Sequence, residues 1–247
     1  MTGTPAGGRS QAVAILLAAG SGTRLGGDRP KAFLTVDGRA LLTLAVEAAC
    51  AASTIGSLVV AVPAGWERRA EALIPPGPPV AVVVGGETRQ ASVRSALRAV
   101  GDGVSVVVCH DAARALCRPE LFDRVVEALE EEAAGAVPVV AVPDTVKRTR
   151  AGWVIETLPR DELVLAQTPQ AFLRATLADA HDRAAVAGLE FTDDAALVEW
   201  AGFRVRTVPG DPENVKVTTA ADLARAEAIL AARPGPAEQR RTARGGP

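Results

Sequence analysis

Tyrosine is absent from the 247 residues, and the aromatic complement is only 3%, five Phe and three Trp. So few rings cannot build the base-stacking platforms that single-stranded nucleic-acid binders use. Histidine occurs twice, at His110 and His181, which excludes a His-rich metal site or a long imidazole relay. Cysteine occurs three times, at Cys50, Cys109 and Cys117, an odd number without CxxC spacing, so buried free thiols are expected rather than a disulfide or zinc site. Neither sign of charge dominates: 27 basic residues face 29 acidic ones. That balance argues against coating nucleic acid or an anionic membrane. Four of the arginines fall in residues 233–247, leaving residues 11–232 at about −6 by formal counting. Long apolar runs are also missing. The run at residues 13–19 is far too short to span a bilayer, and residues 1–10 lack the apolar core of a signal peptide. The expectation is a soluble, cytoplasmic protein with neither a nucleic-acid nor a membrane partner.

A 48% hydrophobic content over this length is enough for one large α/β domain or two small ones, with a core built from Ala, Val and Leu. Short apolar runs at 13–18, 57–62, 80–84 and 104–109 predict strands buried on both faces. Between them, 40–51, 66–73 and 92–100 carry apolar residues at helical spacing; Val93, Ala96, Leu97 and Val100 are one face. This alternation predicts a mostly parallel, doubly wound sheet. It continues through a helix at about 119–133 and a strand at 136–142. Residues 143–168 then break the rhythm with two strand-like pieces, 145–149 and 153–158, around a turn at Arg150-Ala151-Gly152. After that excursion, helices near 170–187 and 193–201, strands at 203–208 and 215–217, and a helix at 220–232 complete a single domain over 11–232. Residues 1–10 and 233–247 read as disordered tails.

Chemistry-bearing residues gather where the strands end. The first strand runs into Ala18-Ala19-Gly20-Ser21-Gly22-Thr23-Arg24, followed by Pro30-Lys31. Glycines after a buried strand let backbone N–H groups approach phosphates at the carboxyl edge of an open sheet. Neither the dinucleotide fingerprint nor the Walker pattern fits, and an ordinary βα turn with exposed charges explains the segment about as well. His110-Asp111-Ala112-Ala113-Arg114 follows another strand. There a single carboxylate can take one position of a Mg²⁺ otherwise bound by phosphate and water, although an Asp at a strand end is commonly a turn cap. Gly85-Gly86-Glu87-Thr88-Arg89-Gln90-Ala91-Ser92 closes a third strand, with Ser92 positioned to cap the next helix. Lys216, between Val215 and Val217, reads on pattern alone as an exposed edge lysine.

Taken in chain order, these segments together with Asn214-Val215-Lys216-Val217-Thr218 resemble the 2-C-methyl-D-erythritol 4-phosphate cytidylyltransferase family of the nucleotidyltransferases. The likeness covers the chain apart from its tails. It implies a three-layer αβα, Rossmann-like nucleotidyltransferase fold with a mostly parallel sheet and a protruding β-arm at about 143–168. It implies CTP and a polyol phosphate as substrates, Mg²⁺ or another divalent cation as cofactor, and a homodimer in which each arm reaches over the partner's site. By this resemblance Arg24, Lys31 and Lys216 are catalytic and Asp111 holds the metal. Ala18, Ala19, Gly20, Gly22, Gly86, Glu87, Ser92 and Ala112 contact the nucleotide. Thr145, Arg160 and Asp193 bind the acceptor, the first two in trans; the planar guanidinium fork of Arg160 suits a phosphate. Arg89 and Gln90 are expected to brace their loop. Ala32 and Ala115 depart from the family pattern, which commonly has Gln and Pro there; neither change removes a charge that the chemistry requires.

The implied reaction is attack by an acceptor phosphate oxygen on the α-phosphorus of CTP, with pyrophosphate leaving. An ionised phosphate needs no general base, which agrees with a chain holding two histidines. Two alternatives stay open on the residues alone: a cytidylyltransferase for another polyol phosphate, such as ribitol 5-phosphate, and a non-catalytic nucleotide-binding regulatory module.

Overall fold

The computed structural model describes residues 11–20, 29–129 and 132–233. In chain order these form β1 (Ala12–Leu17), β2 (Thr35–Val36), β3 (Arg39–Ala40), α1 (Leu41–Ala51), β4 (Ile55–Val62), α2 (Glu67–Glu71), β5 (Val80–Val84), α3 (Arg89–Leu97), β6 (Val106–Asp111) and α4 (Pro119–Glu127). There follow β7 (Gly135–Ala141), β8 (Val146–Arg150), β9 (Trp153–Leu158), β10 (Val164–Ala166), β11 (Gln170–Leu173), α5 (Arg174–Ala187), α6 (Asp194–Trp200), β12 (Val205–Pro209) and α7 (Ala220–Ala232). The tails 1–10 and 234–247, and with them the expected disorder there, lie outside the described residues.

An eight-stranded sheet runs β10-β7-β11-β6-β1-β4-β5, with β12 on β7. β1 is parallel to β4 and β6, β4 to β5, and β12 to β7. Side-chain alternation along β1 explains the three layers, because successive residues of a strand face opposite ways. Ala14 and Leu16 pack with Leu42 and Val46 of α1 and Phe122 and Val125 of α4. Val13 and Ile15 pack with Val93 and Ala96 of α3, Leu177 of α5 and Leu197 of α6. With both faces covered, the continuous apolar runs of the parallel strands are accounted for.

The sheet is mixed rather than wholly parallel. The helix expected from 170 begins instead at Arg174, and Gln170–Leu173 is β11, antiparallel to both β6 and β7. Burial decides it: Ala171 and Phe172 are fully buried between two strands, a demand that helical propensity does not outweigh. β10 pairs antiparallel with the far half of β7, so it and β11 continue along one edge of that strand, interrupted at the cis peptide Thr168-Pro169. The excursion therefore ends before 168. Its β8–β9 hairpin turns at Ala151 and Gly152, both with positive φ, as a tight right-twisted hairpin requires. Other boundaries also move. The helix expected to reach 133 stops at Glu127, and α3 begins at Arg89, three residues before the expected start, capped by Thr88 rather than Ser92. No strand forms at 215–217.

Among the described residues no helix is long and apolar enough to cross a membrane. Phe172 carries the junction of β6, β11 and β7, with its ring filling the space above Gly135. Phe172→Ala should lower unfolding free energy by about 3–5 kcal/mol. Urea titration measures it, and a loss below about 1 kcal/mol would show that this junction is not a packed core.

Candidate active site

Three parallel strands deliver their ends to one cleft. β1 runs into Ala18, Ala19 and Gly20, β5 into Gly85 and Gly86, and β6 ends on Asp111. The cleft, about 510 Å³, is lined by these residues together with Lys31, Glu87, Thr88, Arg89, Ser92, Ala113 and Lys216. Open α/β sheets bind ligands at this carboxyl edge.

Glycine is required where the walls meet. A Cβ on Gly85 would lie 2.7 Å from Ala19 Cβ and 2.9 Å from Ser92 Oγ, and one on Gly86 would lie 2.4 Å from Ala91 Cβ. Ser92 is buried inside the first turn of α3. Its Oγ accepts from the Gly86 N–H at 3.1 Å and donates to the Thr88 carbonyl at 2.9 Å. Ser92 thus ties the 86–88 loop down, while the Thr88 side chain caps the helix through the Ala91 N–H.

Electrostatics centre on Asp111, whose two oxygens meet two cations. Arg89 Nε donates to Oδ1 at 3.0 Å, and Lys216 Nζ lies 2.6 Å from Oδ2. Burial alone would raise this carboxyl, but the Arg89 charge and then the Lys216 ammonium hold it well below the usual carboxylate range. Arg89 also donates through Nη1 to Asp194 Oδ2 at 2.8 Å. Burial works against its charge, yet the two carboxylates, Asp194 first, keep it more firmly protonated than a free arginine. The brace role expected for Arg89 therefore understates it, although Gln90 does brace: its side chain joins the Leu189 carbonyl and the Phe191 N–H. The Asp193-Asp194 doublet holds a readable signal. Asp193 caps α6 through the Ala196 N–H, which leaves the adjacent, buried Asp194 in need of a cation.

Lys216 reaches Asp111 from an irregular segment, not a strand. Asn214, fully buried, donates to the Thr168 carbonyl at 2.8 Å, its own carbonyl accepts from Arg114 Nη1 at 2.8 Å, and the Val217 N–H bonds the Ala113 carbonyl. Asn214 is thus an anchor for Lys216. His110 is equally enclosed. Thr168 Oγ1 accepts from the Asp111 N–H at 3.0 Å and lies 3.1 Å from His110 Nδ1, while Nε2 faces the Arg114 carbonyl at 3.3 Å. A ring donating from Nε2 and accepting at Nδ1 is neutral, and burial pushes its pKa down to about 4.

Other expected site residues stand elsewhere. Gly22 and Arg24 lie outside the described residues. Ala112 is fully buried with its N–H on the Leu17 carbonyl, and Ala113 forms the cleft wall. Thr145 and Arg160 are exposed on the arm, where Arg160 Nη1 bonds the Pro143 carbonyl at 3.2 Å. Asp193 spends both oxygens on Ala196 and Gln170. The structure does not bring these three into the cleft of their own chain.

The family model described as IspD: 2-C-methyl-D-erythritol 4-phosphate cytidylyltransferase matches residues 12–232. The chain is 46% identical over 231 residues to the 2-C-methyl-D-erythritol 4-phosphate cytidylyltransferase of Frankia casuarinae, covering 93% of this chain and 85% of that protein. It is 43% identical over 224 residues to the protein of the same name from Synechocystis sp., covering 89% and 96%. Its fold is similar to the crystal structure of 2-C-methyl-D-erythritol 4-phosphate cytidylyltransferase from Thermus thermophilus, with TM-score 0.74, 38% identity and coverage of 90% and 100%. It is also similar to that of 4-diphosphocytidyl-2C-methyl-D-erythritol synthase from Anaerococcus prevotii, with TM-score 0.82, 26% identity and coverage of 90% and 96%.

Arg89→Met strands two buried carboxylates and should cost about 3–5 kcal/mol of stability; a urea midpoint equal to wild type would contradict the network. His110 gives a second expectation. Between pH 6.5 and about 4 the unfolded chain takes up a proton that the folded ring refuses, so stability falls as pH falls. The loss amounts to about 3 kcal/mol across that window. His181, pushed down by burial as well, adds in the same direction. Melting temperatures from pH 7 to 4.5 should decline less steeply in His110→Gln than in wild type; equal slopes would remove His110 as the cause.

Proposed function

The chain belongs to the 2-C-methyl-D-erythritol 4-phosphate cytidylyltransferase family, and on that premise we propose how its residues transfer a cytidylyl group from CTP to 2-C-methyl-D-erythritol 4-phosphate. The observation that carries the reading is the cleft in which Lys31 and Lys216 accompany one ionised carboxylate, Asp111, beside a close-packed glycine loop. The triphosphate lies against the backbone of residues 18–20, with Lys31 and Lys216 and, from the glycine-rich segment, Arg24. An acceptor phosphate oxygen forms a bond to the α-phosphorus in line as the bond to the β-bridging oxygen breaks. Pyrophosphate leaves with that electron pair. Charge builds on the α-phosphoryl oxygens and the leaving group, and fixed cations stabilise it more than they stabilise the ground state. No general base is needed, because the attacking phosphate is already ionised. A neutral His110, engaged at both nitrogens, is consistent with that.

The cytosine ring rests on the 86–87 loop, where backbone carbonyls accept its exocyclic amine and so reject uracil. Ser92 serves recognition by holding that loop in place. Mg²⁺ or another divalent cation fits the donor set. Asp111 offers an ionised hard oxygen donor, each of its oxygens retains a lone pair beyond the Arg89 or Lys216 contact, and a magnesium ion on a triphosphate needs only one or two protein carboxylates. Among the described residues no group of three or more His, Cys, Asp or Glu could hold the ion without phosphate oxygens. Bound there, the ion supplies charge neutralisation to the triphosphate.

The acceptor phosphate is bound by Thr145 and Arg160 of a second copy. This reading is supported by their exposure on the arm, outside the lining of their own cleft, and by the arm's exposed Trp153, Val154 and Ile155, which a lone two-stranded ribbon does not cover.

Pyrophosphate release with CTP and Mg²⁺ should favour 2-C-methyl-D-erythritol 4-phosphate over ribitol 5-phosphate. Lys31→Ala should lower kcat by about 10²–10³-fold with the circular dichroism spectrum unchanged; near-normal turnover would remove Lys31 from the mechanism. Mixing Lys31→Ala with Arg160→Ala chains should restore turnover that neither has alone, because a mixed dimer contains one intact site. Failure of the mixture to recover activity would place Arg160 in its own chain's site or outside the reaction.

A further inference from the structure

Away from the cleft, α3 and α5 enclose a second concentration of positive charge. Arg94 on α3 and Arg98, one turn later at its C-terminal cap, line a cavity of about 530 Å³ with Leu97, Arg174 and His181; the carboxylate Asp182 stands at the same cavity. Among the described residues neither Arg94 nor Arg98 has an ion pair or hydrogen bond, and like charges at this spacing repel. Arg174 is held in place by the Val100 carbonyl at 3.3 Å and by Asp102 at 3.5 Å. A neighbouring cavity of about 570 Å³ shares Arg94 and Arg98 and continues to Gly85, Gly86 and Thr88, the loop whose other side lines the candidate active site.

His181 is the second, independent observation. It is 1% exposed, and neither ring nitrogen has a hydrogen-bond partner. A buried imidazole without partners is costly. The nearest acidic group is Asp194, with Oδ1 3.9 Å from Nε2. From there the contacts run through Asp194 Oδ2 to Arg89 at 2.8 Å, Arg89 to Asp111 at 3.0 Å, and Asp111 to Lys216 at 2.6 Å.

We propose that the α3–α5 groove is a second anion site, taking a small phosphate-bearing molecule on Arg94, Arg98 and Arg174, with His181 beneath it. Bidentate guanidinium groups match phosphate oxygens, and the buried imidazole beneath them feels the added negative charge without touching it. Because Asp194 faces both His181 and Arg89, occupancy of the groove alters the balance of contacts around Asp111. The site regulates the cleft through that shared carboxylate and through the 85–88 loop.

The test titrates inorganic phosphate into the whole chain at constant ionic strength and follows the two imidazole signals by NMR, with His110 identified through His110→Gln. No substrate is needed, so the result is independent of the proposed reaction. The His181 signal should shift saturably in wild type and equally in Lys31→Ala, which lacks a cation of the cleft. Affinity should fall about tenfold or more in the Arg94→Gln/Arg98→Gln double variant, as expected for lost charge-assisted contacts. Turnover of that variant without phosphate should match wild type, while its response to phosphate is lost. An unmoved His181 signal, a shift reproduced by chloride, a shift retained in the double variant, or one abolished by Lys31→Ala would each overturn the proposal.

Discussion

A buried carboxylate held between two cations organises this molecule. Asp111 stays ionised inside the protein only because Arg89 and Lys216 each meet one of its oxygens, and those partners come from segments distant in sequence. Arg89 sits in the first turn of α3, so the position of that helix is set partly by charge. Asp194 pulls on the same guanidinium from α6, and one buried arginine thereby links a strand end to two helices. Burying such a group without its partners would cost several kcal/mol, which makes the arrangement close to all-or-none.

Lys216 depends on a different kind of support. Its segment has no ladder of backbone hydrogen bonds, so side chains replace one: Asn214 on Thr168, Arg114 on the Asn214 carbonyl, and the capping box of Thr219 and Asp222 that starts α7 just beyond. Thr168 serves twice, because its hydroxyl also accepts from the Asp111 amide and meets the neutral ring of His110. Asp111 and the lysine opposite it are therefore tied to one buried polar cluster, which leaves little freedom for either to move alone. The cluster is not fully paired, since among the described residues Asn214 Oδ1 and Arg114 Nε are buried without a hydrogen-bond partner, and such polar clusters specify geometry more than they add stability.

Much of the architecture was legible before any coordinates. Strands buried on both faces announce themselves as unbroken apolar runs, and β1, β4, β5 and β6 fall within two residues of the runs that mark them. α7 was read to the residue, and the capping box of Thr219 and Asp222 fixes its start. Elements failed where tertiary context outweighed local pattern. Gln170–Leu173 has the composition of a helix start but lies between two strands, and 215–217 has the composition of a strand but no neighbour to pair with. Ser92 looks like a cap because Ser often is one; the cap is Thr88, and Ser92 turns inward to the loop.

The candidate site divides along the same line. From residues alone came the glycine turns at the strand ends, with Lys31 and Asp111 as candidates; the role of Lys216, which pattern alone reads as an exposed edge residue, and the chemistry came through resemblance to a family, whose motifs lie in contiguous segments that a linear reading can group. Only the folded chain could decide that Arg89 belongs to the charge network, that Asp194 rather than Asp193 faces it, that Asn214 is tied to the Thr168 carbonyl, and that the arm residues do not line their own cleft. The hydrogen bonds behind the first three join groups 22 to 105 positions apart in the chain, brought together once water is excluded. Burial makes an unpaired charge costly, and the identity of the partner that Asp111, Arg89 and Asp194 each find is a property of three-dimensional packing, not of spacing along the chain.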